Sequence, residues 1–159
     1  MVRMTGAQAL VEMLRAEGIK YVFGNPGTTE LPFLDALQDT KDIQYINALF
    51  EGVAAGMADG YARVTQMPSF MNFHISVGVT NSIAVVYNSW RGGTPMVITS
   101  GQAPTSLQLH SPTLYSNTVN VMREYTKWAG EIVDSRDIPS IIRRAFKVAS
   151  TPPTGPVFV

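Results

Sequence analysis

Apolar positions recur at helical spacing near the start of the chain, where Ala9, Leu10, Met13 and Leu14 share one face of a helix that Thr5 caps and Gly18 ends after about Glu17. The pattern then changes. Tyr21-Val22-Phe23 is a short continuous apolar run and predicts a buried strand. It passes into Gly24-Asn25-Pro26-Gly27-Thr28-Thr29-Glu30, a turn of small and polar residues that precedes a second helix over roughly Leu31 to Leu37. Ile43 to Leu49 predicts the next strand, a helix opens at Glu51, and Ser69 to Ile75 predicts a third strand with His74 near its end. A helix over Gly78 to Trp90 and a strand over Pro95 to Ser100 follow. Gly101 to about Asn120 has weak periodicity and much Gly, Pro, Ser and Thr, which predicts a long irregular loop. Beyond it lie a fifth strand (Lys127 to Val133), a helix over Pro139 to Ser150 with Ile141, Ile142, Ala145 and Val148 inward, and a sixth strand from Pro156 to Val159.

Strands that alternate with helices in this way imply an α/β fold, a three-layer αβα arrangement around a mostly parallel sheet of about six strands. In such sheets ligands bind beyond the carboxyl ends of the strands. The Asn25 to Glu30 loop, Glu51 and His74 all stand at or just after strand ends, so topology alone predicts that they converge.

Composition narrows the function without naming it. At 159 residues and 45% hydrophobic content, the chain suits one domain, residues 1–159, with a single sizeable core. Twelve basic and twelve acidic residues give zero formal charge, so no nucleic acid or anionic membrane is expected as a partner. Without cysteine there is no disulfide or thiolate chemistry, and the charged, amphipathic N-terminus is neither a signal peptide nor a spanning segment. A cytoplasmic location is the expectation.

Candidate chemistry centres on Asn47 to Thr65, where Glu51 opens a helix in which Gly52, Gly56 and Gly60 recur every four residues with Ala55 beside them. Three glycines cost a helix about 1 kcal/mol each relative to alanine, so the strip implies close approach of another backbone or a flat ligand. A tightly packed core helix whose Glu51 only complements the dipole is the alternative. Set between a helix start and the apolar Leu49 and Phe50, Glu51 is suited to exchanging a proton with a basic ring nitrogen. Gly24-Asn25-Pro26-Gly27 lacks the G-x-G-x-x-G spacing of a dinucleotide fingerprint, and no phosphate loop occurs. His74 and His110 are too far apart in sequence for a metal pair, so no metal site is expected. His110 reads as a solvent-exposed loop residue, and His74 as either a structural histidine or an active-site group.

Five ordered segments carry a resemblance: GNPGTTELPFLDAL (24–37), FEGVAAGMADGYARVT (50–65), FHISVGVTNSIAVVYNSW (73–90), TPMVITSGQ (94–102) and TPPTGPVFV (151–159). Together they resemble the N-terminal, pyrimidine-binding domain of thiamine-diphosphate-dependent enzymes, most closely the benzoylformate decarboxylase and acetolactate synthase group. The resemblance implies that Glu51 hydrogen-bonds N1′ of the aminopyrimidine and promotes loss of the thiazolium C2 proton, for decarboxylation or carboligation of a 2-oxo acid. It further implies that Pro26 and Asn81 lie along the pyrimidine, that His74 transfers protons near the substrate, and that Thr28 matches a substrate-contacting serine. Phe50 departs from the histidine that many relatives carry, and Val79-Thr80 from the Thr-Gly of the benzoylformate pattern. The Gly-Asp-Gly segment that binds diphosphate and magnesium in the family does not occur here. The cofactor and its magnesium ion would then be completed by a diphosphate-binding domain of the same or a partner chain, in a homodimer or homotetramer. A non-catalytic binding or assembly module that keeps the fold is the rival reading.

Overall fold

The computed structural model describes residues 3–159. Its fifteen elements begin with α1 (Gly6–Ala16), β1 (Tyr21–Asn25), a 3-10 turn (Thr28–Glu30), α2 (Leu31–Gln38) and β2 (Gln44–Asn47). Then come α3 (Glu51–Thr65), β3 (Ser69–Phe73), α4 (Ile75–Gly92) and β4 (Met96–Ser100), followed by two short helices, α5 (Thr105–Gln108) and α6 (Thr118–Arg123). β5 (Trp128–Ala129), a second 3-10 turn (Ser135–Asp137), α7 (Ile138–Ser150) and β6 (Pro156–Phe158) close the chain. The strands form one parallel six-stranded sheet in the order β2-β1-β3-β4-β6-β5. The expected α/β sandwich is present.

Alternation along each strand divides the core between the two faces. Val22, Phe70, Val97 and Val157 point toward α1, α2 and α7, where Leu14, Phe33, Ile142 and Phe146 cover them. Phe23, Met71, Phe73 and Ile98 point the other way, under Ala54, Ala55 and Ala58 of α3 and Val79 and Val86 of α4. Alanine at these α3 positions lets the helix lie close on the sheet. Thr5 caps α1 as its sequence suggests, with its hydroxyl accepting from the Gln8 N–H and the Gln8 side chain answering the Thr5 N–H.

Several boundaries differ from the sequence reading, for physical reasons. The third strand stops at Phe73, because His74 is the N-cap residue of α4 and the helix starts three residues before Gly78. The segment 101–120 is not wholly irregular, since it holds α5 and the start of α6. The fifth strand shrinks to Trp128–Ala129, having only the edge partner β6. On α7, Ala145, Phe146 and Ala149 join Ile142 inside, while Ile141 and Val148 are half-buried.

The small-residue strip on α3 also divides. Ala55 is fully buried and faces the sheet, whereas Gly56 and Gly60 are not packed against anything, with open space where a Cβ would stand. Only Gly52 is tight: a Cβ there would lie 2.6 Å from the Phe50 ring and 3.2 Å from the Asn81 carbonyl oxygen. Leu49 is 97% exposed and Phe50 50%, so these two apolar residues stand largely in solvent while Glu51 is 6% exposed.

Candidate functional site

Strand order reverses at β1, whose neighbours β2 and β3 lie on opposite sides and are reached through α2 and α3. The topological switch point therefore lies beyond the carboxyl ends of β1 and β3, the position at which doubly wound sheets bind ligands. β1 ends at Asn25, paired in register with Phe73 at the end of β3. Glu51, the first residue of α3, comes to this point and is 6% exposed. The Asn25 amide donates to its Oε1 at 3.1 Å, and the Asn81 amide, from the second turn of α4, donates to its Oε2 at 2.9 Å. Two neutral amides thus fix the carboxylate plane while leaving each oxygen a second lone pair.

A second cluster forms around His74. Its Nδ1 lies 2.9 Å from Glu30 Oε2 and 3.1 Å from Thr29 Oγ1. The Thr29 hydroxyl spends its hydrogen on Glu30 Oε1, so toward His74 it can only accept. That assigns a proton to Nδ1 and leaves Nε2 turned away from both acceptors. Glu30 itself is 2% exposed and also takes the N–H groups of Gly27 at 2.8 Å and Gly101 at 3.1 Å. One carboxylate thereby ties the β1 turn, the β4 exit loop and His74 together. Gly27 is required by this packing, because a Cβ there would stand 2.3 Å from the imidazole ring.

The residue after His74 is strained. Ile75 opens α4 with φ of 40°, a left-handed value that a β-branched side chain rarely adopts. Ser76 then donates to the Leu114 carbonyl at 2.6 Å, fastening the 101–117 segment to the start of α4. Behind the site, the half-buried Tyr45 phenol donates to the Asn72 carbonyl at 3.3 Å. Its pKa is raised, first by burial and then by the nearby Glu30 charge.

Glu51 and Asn81 are joined directly by that hydrogen bond. His74 lies at the end of the adjacent strand, and half-buried Pro26 follows Asn25 at the end of β1. Of the two adjacent threonines, Thr29 touches His74 while Thr28 is exposed. His110 is exposed in the loop after α5. Asn25, Thr29 and Glu30 read from sequence only as turn residues. A carboxylate three residues beyond Gly27 is the signal that could have found Glu30, since that spacing returns a side chain to the backbone N–H.

Fold and site define a doubly wound α/β domain with a buried carboxylate at its topological switch point. Residues 4–124 match the family model described as thiamine pyrophosphate enzyme, N-terminal TPP binding domain, and the chain belongs to that family. It is 36% identical over 152 residues to benzoylformate decarboxylase of Pseudomonas aeruginosa, covering 95% of this chain and 28% of that protein. It is 35% identical to the acetolactate synthase large subunit of Haemophilus influenzae, covering 100% of this chain and 28% of that subunit. The structure of a thiamine diphosphate-dependent 4-hydroxybenzoylformate decarboxylase from Rhodococcus jostii RHA1 superposes with a TM-score of 0.93 at 36% identity, over 98% of this chain and 29% of that one. The chain therefore spans under a third of the length of these relatives.

Proposed function

We propose that this domain holds the aminopyrimidine end of thiamine diphosphate in an enzyme that decarboxylates or carboligates 2-oxo acids, with Glu51 handling the proton at pyrimidine N1′. The observation that carries this reading is the Glu51 carboxylate, 6% exposed at the switch point and held on both oxygens by neutral amides. Such a group fits a ring N–H, because each carboxyl oxygen takes one amide N–H and keeps a lone pair to accept another. Gly78 keeps the approach narrow, since a Cβ there would meet the Phe73 Cβ at 2.9 Å and the Glu51 Cγ at 3.5 Å.

Bound thiamine diphosphate supplies a nucleophilic carbon and an electron sink for the bond to the departing carboxylate. Glu51 holds N1′ and exchanges its proton. Asn25 and Asn81 keep the carboxylate aimed, and Pro26 offers an apolar surface for the ring. His74, with Nδ1–H committed to Glu30 and Thr29, presents Nε2 to the substrate for proton transfer, and Thr28 stands exposed for substrate contact. Among the described residues, no group of three or more His, Cys, Asp or Glu side chains could hold a metal ion. In this proposal the diphosphate and magnesium are bound by a diphosphate-binding domain of the same or a partner chain. No helix of the described residues is long and apolar enough to cross a membrane, and a cytoplasmic location is part of the proposal.

The two clusters make separable contributions, which gives the test. In the complete protein, His74→Ala should lower turnover of a 2-oxo acid by about a hundredfold or more while hydrogen exchange at the cofactor C2, followed by NMR after acid quench, stays near wild type. Exchange reduced as far as in Glu51→Gln would show that His74 is misplaced.

The exposed side of α3 supports a homo-oligomer. Val53 and Val64 are 55% and 85% exposed there, in line with the open Gly56 and Gly60, an arrangement that admits a partner helix closely. Gly56→Leu should weaken self-association at least about tenfold by steric exclusion, measured by sedimentation of the complete protein. A wild-type monomer, or an oligomer indifferent to the substitution, would remove this face from the interface.

A further inference from the structure

Two glycines border the His74 cluster, and neither holds a conformation that only glycine adopts. Gly27 has φ of −126° and ψ of −157°, extended backbone that other residues share, and the left-handed glycines among the described residues are Gly18 and Gly93, not Gly101. What each supplies is space. A Cβ on Gly27 would lie 2.5 Å from Cδ2 of the His74 ring and closer still to its Cγ and Nδ1. A Cβ on Gly101 would lie 2.7 Å from the Thr29 Cβ and closer still to Thr29 Oγ1 and Glu30 Oε1.

Thr29 and Glu30 are the two partners of His74 Nδ1, so Gly101 reaches the imidazole through both of them. Neither partner can swing aside cheaply. The Glu30 carboxylate is buried and also accepts from the Gly27 and Gly101 N–H groups and the Thr29 hydroxyl, bonds that a rotation would break together. The Thr29 Cβ is fixed by its backbone and moves only if the 3-10 turn moves. Gly101 also donates its N–H to the Phe73 carbonyl at 3.2 Å, which seats the β4 exit against the residue before His74. On the other side of the histidine, the left-handed Ile75 persists only while its surroundings hold it.

We infer that Gly27 and Gly101 are positioning residues for His74: their bare backbones set the place of the imidazole and the direction of Nε2, Gly27 by contact with the ring and Gly101 through Thr29 and Glu30. The kinetic part of this inference rests on the role proposed for His74, whereas the placing of the ring does not. Proton transfer depends steeply on distance and angle, and a misplacement on the order of 1 Å costs such a step about a hundredfold. Glu51 lies outside this effect. None of the atoms nearest to a Cβ on either glycine belongs to Glu51, Asn25 or Asn81, so proton exchange at the cofactor is left alone.

Gly101→Ala and Gly27→Ala in the complete protein, each alone and combined with His74→Ala, test the inference. Each single variant should lower kcat for the 2-oxo acid at least about tenfold, with KM within about threefold of wild type and hydrogen exchange at the cofactor C2 nearly unchanged. In the His74→Ala background the same substitutions should change kcat by less than about twofold, because no ring is left to misplace. The imidazole nitrogen NMR signals of His74 should shift in both single variants while those of the exposed His110 stay in place. C2 exchange that falls in step with kcat, or an undiminished effect in the His74→Ala background, would show that the glycines serve folding in general and would overturn the inference. Wild-type kcat or unmoved His74 signals in a folded variant would overturn it as well. Gly27→Ala acts on the ring directly and Gly101→Ala through two side chains, so either one remains a test if the other fails to fold. Full turnover in His74→Ala itself would count against the role of His74 in the proposed function, and the imidazole signals alone would then decide whether the two glycines place the ring.

Discussion

Replacing Glu51 by glutamine in the complete protein is expected to lower turnover of a 2-oxo acid by about a hundredfold or more, with a much smaller loss of thiamine diphosphate affinity. Glutamine keeps the shape of the side chain and its place at the start of α3, but an amide cannot exchange a proton with N1′. The structure adds a second cost. Glu51 accepts from the Asn25 and Asn81 amides at once, and a glutamine carbonyl can serve only one of them. Its own NH₂ then confronts the other, so one asparagine must turn its oxygen inward. Turnover by steady-state assay and affinity by titration calorimetry with thiamine diphosphate and magnesium separate the two effects. Near-normal turnover would sink the assignment of Glu51.

Glu30→Ala is expected to cost about 2–4 kcal/mol of stability, because it leaves the Gly27 and Gly101 N–H groups, the Thr29 hydroxyl and His74 Nδ1 without the acceptor they share. For a domain of this size that corresponds to a fall in Tm on the order of 5–15 °C. Glu30→Gln should recover part of the loss, since the amide oxygen still accepts on one side. Calorimetric melting of the three proteins gives the comparison. A Tm for Glu30→Ala within a degree or two of wild type would mean that water or a neighbouring group takes over these donors, and that His74 is held by something other than Glu30.

Both predictions concern carboxylates, and the chain pattern discloses them unequally. Glu51 is legible because it opens a helix right after a strand, and the surrounding motif carries the family. Glu30 lies in a turn of small polar residues, where an acidic side chain ordinarily faces water. Its burial depends on Gly101, 71 positions away, and on His74, 44 positions away. Long-range closure of this kind leaves no periodic trace.

Local pattern determined the order and type of the main elements, the capping of α1, the parallel α/β architecture and the arrival of Glu51 and His74 at the same end of the sheet, since period and strand direction are properties of neighbouring residues. Tertiary structure decided the rest. It divided the α3 glycines into one tight position and two open ones, because spacing names a helix face but not what lies against it. It ended β3 at Phe73 with His74 at the N-cap position of α4, and it set the imidazole against Thr29 and Glu30. It also formed an open cleft beside them from α1, α2, α7 and two loops, elements that only the packing of the whole chain brings together.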